Sequence, residues 1–203
     1  MRITSVPRLI AALSFLLASG CMGVRVGALP ACDYAPPQTA RDVAPAAEAS
    51  PVVDYRVRFV GSNRDGSAAF EERVGGVFAR HPILAAARPG DGGAPLHLDL
   101  VLTNRSNRLV AGLTGLASGL TFTLLPAYAR DDFELTVELR TGADVLKRAE
   151  YRDAVVTVIH FTLVFAPRPS QPRAVVEETV DNMLMHALRD LDQSGLLTPA
   201  AGG

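Results

Sequence analysis

Apolar and polar side chains alternate with period two along three stretches of this 203-residue chain, the signature of strands that are dry on one face and wet on the other. In the first, Val53, Tyr55, Val57 and Phe59 oppose Asp54, Arg56 and Arg58. The second has the cleanest pattern, with Leu96, Leu98, Leu100 and Leu102 opposite His97, Asp99, Val101 and Thr103. In the third, Phe133, Leu135, Val137 and Leu139 oppose Glu134, Thr136, Glu138 and Arg140; a turn is then expected at 141–144 and a less regular return strand over 145–152. Elsewhere the spacing becomes helical. Phe70, Val74, Val77 and Phe78 form one stripe of a helix expected over 67–80, stopped by Pro82 and followed by a short strand over 83–87. Gly75-Gly76 costs that helix about 2 kcal/mol against Ala-Ala, so it depends on tertiary packing. A longer helix is expected over 172–194, with Pro172 in its first turn, Glu177 and Glu178 towards its N-terminus and Gly195 as its stop. Its stripe is Val176, Val180, Met183, Leu184, Ala187, Leu188 and Leu191.

Strands with one apolar face need one covering layer. The order strand, helix, four strands, helix therefore predicts an α+β fold over 52–197: a two-layer sandwich with two helices on one face of a mostly antiparallel sheet. Two segments depart from it. Residues 109–129 carry no charged side chain and are bracketed by Arg105, Arg108 and Arg130; residues 154–167 carry none between Asp153 and Arg168. Both are expected to leave the same edge of the sheet as an apolar insertion. The second is rich in β-branched and aromatic residues and reads as a continuation of the return strand. The first reads as a buried helix or loop, with Gly115 and Gly119 spaced for close backbone approach. A surface lying on a bilayer and a tip that docks a partner are the alternatives, with Leu113, Leu116, Leu120, Phe122, Leu124, Phe161 and Phe165 as contact residues.

The N-terminus carries the most specific signal. Arg2 and Arg8 lead into the apolar run 9–18, which ends at Ala18-Ser19-Gly20-Cys21. This resembles a bacterial lipoprotein signal peptide over 1–20, and the resemblance implies that Cys21 becomes the first mature residue and carries palmitate-type acyl chains. A run of ten residues is too short to cross about 30 Å of hydrocarbon. Met22 after the cysteine implies the outer membrane, whereas a rival box at Leu29-Pro30-Ala31-Cys32, followed by Asp33, would imply the inner one. Residues 22–51 are rich in Pro and Ala, with no sustained apolar period, and read as a flexible tether; 198–203 reads as a disordered tail.

Composition changes this picture little. The chain holds 20 basic and 21 acidic side chains, which gives no reason to propose nucleic acid as a partner. Lys147 is the only lysine, so the arginine excess reads as genome composition. With the sulfur of Cys21 acylated, Cys32 would be left without a disulfide partner.

Catalytic motifs are weak. His97 and Asp99 share a strand face at i, i+2, but no third metal ligand is placed beside them, and an ordinary solvated face is the expected reading. His160 reads as a satisfied interior histidine, His81 as a helix end and His186 as a polar position on the last helix. Ser118 lacks the glycine two residues before it that a nucleophile elbow requires, and no Walker loop follows Gly61. No catalytic residue, metal or cofactor is assigned.

The element order resembles the lipopolysaccharide-assembly lipoprotein family, in which two helices pack on a sheet. The segment 120–126 and the ending Leu191 to Leu197 resemble uncharacterised bacterial lipoproteins. These resemblances imply a lipid-anchored, periplasm-facing outer-membrane protein, a non-enzymatic accessory in envelope assembly or maintenance that meets a membrane or an envelope protein through an apolar surface. The alternative is a periplasmic lipid- or glycan-processing hydrolase using His97 and Asp99.

Overall fold

The computed structural model describes residues 20–34, 53–61, 66–81, 84, 87–90, 93–121, 124–160, 162–163 and 170–197. The expected signal peptide (apart from Gly20), most of the expected tether and the 198–203 tail lie outside these residues. Among those described, six strands and three helices follow one another: β1 (Gly20–Arg25), β2 (Val53–Val60), α1 (Gly66–Phe78), β3 (Arg88–Pro89), β4 (Leu96–Ser106), α2 (Arg108–Leu120), β5 (Ala127–Thr141), β6 (Asp144–His160) and α3 (Pro172–Gln193). The fold is α+β, as the pattern implies, and the strand order is β1-β6-β5-β4-β2-β3.

The sheet is mixed, which corrects the mostly antiparallel expectation. β2 runs parallel to β4, with Val53 opposite Leu96 and Phe59 opposite Leu102, and parallel to β3. The cause is connectivity: a parallel pair needs a crossover, and α1 supplies it between β2 and β4. Of the short strand expected over 83–87, Leu84 and Ala87 are described and neither is in a strand; the two-residue β3 follows directly at Arg88–Pro89. The hairpin is longer than its alternation suggested and turns at Gly142, whose φ of +55° favours glycine.

The chain divides into two compact units. Unit 2 comprises 27–105, 132–153 and 179–203. Its core is the apolar face of the alternating strands: Leu98, Leu100 and Leu102 of β4 with Phe133, Leu135, Val137 and Leu139 of β5 are all buried. Phe70, Val74, Val77 and Phe78 of α1 are buried as well, and Phe78 meets the ring of Tyr55 edge-on at 5.1 Å. From α3, Met183, Leu184, Ala187, Leu188 and Leu191 are buried. Emptying one such leucine site costs about 2–5 kcal/mol.

Part of the expected tether is held in place. The side-chain amide of Asn182 on α3 donates to the carbonyl of Pro30 at 2.9 Å and accepts from the N–H of Cys32 at 2.7 Å, pairing with the extended chain as a neighbouring strand would. His186, read as a polar position on the last helix, is buried, with Nε2 3.0 Å from the same Pro30 carbonyl. Proline-rich chain lacks N–H groups of its own, so its carbonyls are satisfied here by side chains. Next to this strap, the Tyr34 hydroxyl bonds the Asp192 carboxylate and lies 3.2 Å from His81 Nε2. The Tyr151 hydroxyl donates to Asp190 at 2.8 Å.

Unit 1 comprises residues up to 26, 106–131 and 154–178. β1 pairs antiparallel with the end of β6, Cys21 opposite Ile159 and Arg25 opposite Val155. Residues 155–160 thus continue the return strand, as their composition suggests, while Gly20–Arg25 is a strand where a tether was expected to begin. Gly23 permits the close approach of α3's first turn: a Cβ there would lie 2.7 Å from the Pro172 Cα.

Two outcomes follow for unit 2. Asn182→Ala removes both hydrogen bonds of the clip, about 1–3 kcal/mol in total, and hydrogen exchange should report faster exchange at the Cys32 amide while the β4 amides stay protected. Burial first, and then the bonded carboxylates, push the Tyr34 and Tyr151 phenols well above their ordinary value of 10.0. Because the raised value belongs to the folded state, this stabilisation is whole below pH about 10 and is lost as pH climbs through the native value. Denaturation midpoints measured from pH 8 to 12 should fall steeply in the natural chain and less steeply in the Tyr34→Phe/Tyr151→Phe variant.

Candidate functional site

Helix α2 is turned inside out. Its start is capped by Asn107, whose side chain accepts from the Val110 N–H at 3.2 Å. At 100° per residue Leu109, Leu113, Leu116 and Leu120 fall on one line along the helix. All four are exposed, Leu109 at 74% and Leu120 at 75%. The opposite side carries Ala111, Thr114 and Ser118, small residues of which Ser118 is fully buried. Gly112, Gly115 and Gly119 flank the leucine line, and a Cβ on any of them would touch nothing within 4 Å. The expectation that 109–129 packs as a buried element is therefore corrected at these leucines. The inward face is too small to fill a core, so the helix is held by hydroxyls and backbone instead.

Those polar contacts are specific. Thr114 Oγ1 accepts from the Tyr128 N–H at 3.2 Å and lies 2.8 Å from the Val110 carbonyl. Thr121 Oγ1 accepts from the Leu125 N–H at 3.2 Å. The N–H of Asn107 donates to the Arg130 carbonyl at 3.3 Å. His160 places Nε2 3.1 Å from the Leu124 carbonyl and Nδ1 2.7 Å from the Thr162 hydroxyl, so it is satisfied, though not interior. Leu124, Leu125 and Tyr128 of the same unit are exposed apolar residues as well, and the cations Arg108 and Arg130 are also exposed.

Of the contact residues expected from sequence, Leu113, Leu116 and Leu120 thus lie on one exposed line of α2 and Leu124 is exposed in the same unit, whereas Phe122, Phe161 and Phe165 lie outside the described residues. Cys21 belongs to the same unit and has an exposed side chain; partial burial raises its thiol pKa. Sequence reasoning weighed the outward direction of these leucines only as an alternative to burial. The signal was available: leucines recur at i, i+4, i+7 and i+11, while the other side of that helix holds only small residues and threonine. Every helix described is too short or too polar to cross a membrane, and α2 spans about 20 Å.

The polar face of unit 2 holds the other candidates. Asp99 lines an open trough of about 600 Å³, together with Arg56, Arg58, Thr136, Glu138, Arg140 and Arg148; His97 does not line it. Asp99 sits 3.8 Å from Arg140, so its partner is a guanidinium. Among the described residues no three His, Cys, Asp or Glu side chains converge as metal ligands.

No family model matches this chain, and no curated protein matches it. Among solved structures it is similar to the PelC dodecamer from Paraburkholderia phytofirmans, at 12% identity and a TM-score of 0.39, over 82% of this chain and 95% of that one. A point variant of the same dodecamer in another crystal form gives 13% identity with the same TM-score and coverage. A likeness this distant assigns no activity.

Proposed function

We propose that this protein is an outer-membrane lipoprotein facing the periplasm, acylated at Cys21, which serves as a non-enzymatic accessory in envelope assembly or maintenance by laying helix α2 on the bilayer surface. Its fold in this reading is a two-layer sandwich that carries α2 as an added apolar element. The observation that carries the proposal is the exposed leucine line of α2. Transferring each leucine from water to an apolar phase is worth up to about 1.5–3 kcal/mol, so four of them favour a dry partner strongly. A helix of about 20 Å is too short to span the hydrocarbon and long enough to lie along its boundary. Arg108 and Arg130 of the same unit supply cations, and no acidic residue occurs between 109 and 129 to oppose lipid phosphates.

The anchor strengthens this reading. A freely jointed tether of thirty residues would let the domain wander far from the lipid. With Cys21 in β1, the acylated residue and the leucine line belong to one compact unit, so the acyl chains and α2 can enter the same membrane together.

Co-sedimentation with phosphatidylethanolamine/phosphatidylglycerol vesicles tests the surface. Leu113→Glu/Leu116→Glu should lower the partition coefficient of the unlipidated chain at least tenfold with little change in Tm, because both positions are exposed in the free protein; unchanged partitioning would refute the role of α2. In cells, Cys21→Ser should move the protein from the membrane fraction to the soluble one, and retention in the membrane would show that acylation is not the main anchor.

A further inference from the structure

We infer that the trough on the polar face of unit 2 is a binding site for an extended acidic glycan, a chain of sugars bearing carboxylate or phosphate groups. The trough encloses about 600 Å³ and draws its lining from four strands that are neighbours in the sheet: Arg56 and Arg58 from β2, Asp99 and Val101 from β4, Thr136, Glu138 and Arg140 from β5, and Arg148 from β6. Genome composition explains why these cations are arginine and not lysine. It does not explain why four of them converge on one concavity where, among the described residues, two carboxylates share the lining.

The charges are unevenly matched. Glu138 is shared: Arg148 Nη1 lies 3.1 Å from it and Arg140 Nε 3.9 Å. Arg140 also meets Asp99 at 3.8 Å. Both Arg140 contacts are too long for hydrogen bonds, and its Nε is buried without a hydrogen-bond partner. Arg58, exposed on the far side of the trough, makes no ion pair among the described residues. Arg148 is held further by Glu150 at 3.3 Å, so Arg58 and Arg140 are the residues that keep guanidinium donors for a ligand, in a concave setting where like charges reinforce their field. Guanidinium forks fit the planar oxygens of carboxylate and phosphate.

The lining also selects among anions. Asp99 and Glu138 would repel a bare polyphosphate, but they accept hydrogen bonds from hydroxyls, and Thr136 both donates and accepts. A ligand with oxyanions and many hydroxyls satisfies both halves of the lining, which is the chemistry of an acidic sugar. Among the described residues no aromatic ring lines the trough to stack a nucleobase. From β2 to β6 are three strand spacings, about 14 Å, the length of several linked units and not of a single ion.

Isothermal titration of the full chain with tetragalacturonate, maltotetraose and inorganic phosphate provides the test, with Arg58→Glu and Arg148→Gln as variants. Tetragalacturonate should bind with an affinity that falls as salt is raised. The uncharged maltotetraose should bind at least tenfold more weakly, and phosphate alone likewise. Arg58→Glu should weaken tetragalacturonate binding at least tenfold at unchanged Tm, and Arg148→Gln should weaken it less, since its loss also releases Glu138. Absent binding, equal binding of maltotetraose or phosphate, or indifference to Arg58→Glu would overturn the assignment. So would phosphatidylglycerol vesicle binding that is lost in Arg58→Glu but kept in Leu113→Glu/Leu116→Glu, because the trough would then be a lipid-headgroup site.

Discussion

The period-two burial of β4 and β5 is the constraint on which the architecture of unit 2 rests. Leu98, Leu100 and Leu102, with Phe133, Leu135, Val137 and Leu139, must leave water together, and a pleated strand can bury them only on one face. Their chain neighbours are thereby forced to the other face. That is how Asp99, Thr136, Glu138 and Arg140 come to share a surface, joined by Arg56 and Arg58 across the parallel β2–β4 register. The trough is thus a by-product of core formation, made of the side chains that the core excludes.

Unit 1 solves the opposite problem. Helix α2 has nothing large on its inner side, so it cannot contribute a core, and its attachment passes through Asn107, Thr114, Thr121 and the backbone of β5. The leucines are then free to serve outside. An ordinary surface helix reverses this arrangement, with its leucines inward and its polar residues outward. Exposed leucines in a row are costly in water and are offset only when something dry covers them. The two candidate surfaces are accordingly of opposite character, one apolar in unit 1 and one cationic in unit 2.

Much of the fold was legible because burial and local periodicity agree. The stripe Phe70, Val74, Val77 and Phe78 is buried in α1 as its spacing implies, and the alternating residues of β4 and β5 fall on the expected faces. Strand direction was not legible, since alternation is the same in parallel and antiparallel pairs; only the crossover through α1 decides it. Nor did the Pro- and Ala-rich stretch after Cys21 announce that it would be clipped by Asn182 and His186, 150 and 156 positions away in the sequence. A composition that lacks its own regular structure says nothing about long-range partners that can satisfy its backbone.

By itself the sequence determined which residues alternate, where helical stripes lie, that 109–129 is free of charge, and that Cys21 follows a leader-like segment. Tertiary structure decided which way the leucines of α2 point, that Cys21 sits in a strand paired with 155–160, and that four arginines from three strands converge on one trough. The division has a physical reason: periodicity is a property of one element and can be read locally. Exposure and convergence depend on which other elements arrive beside it, and that is settled by the burial of the whole chain.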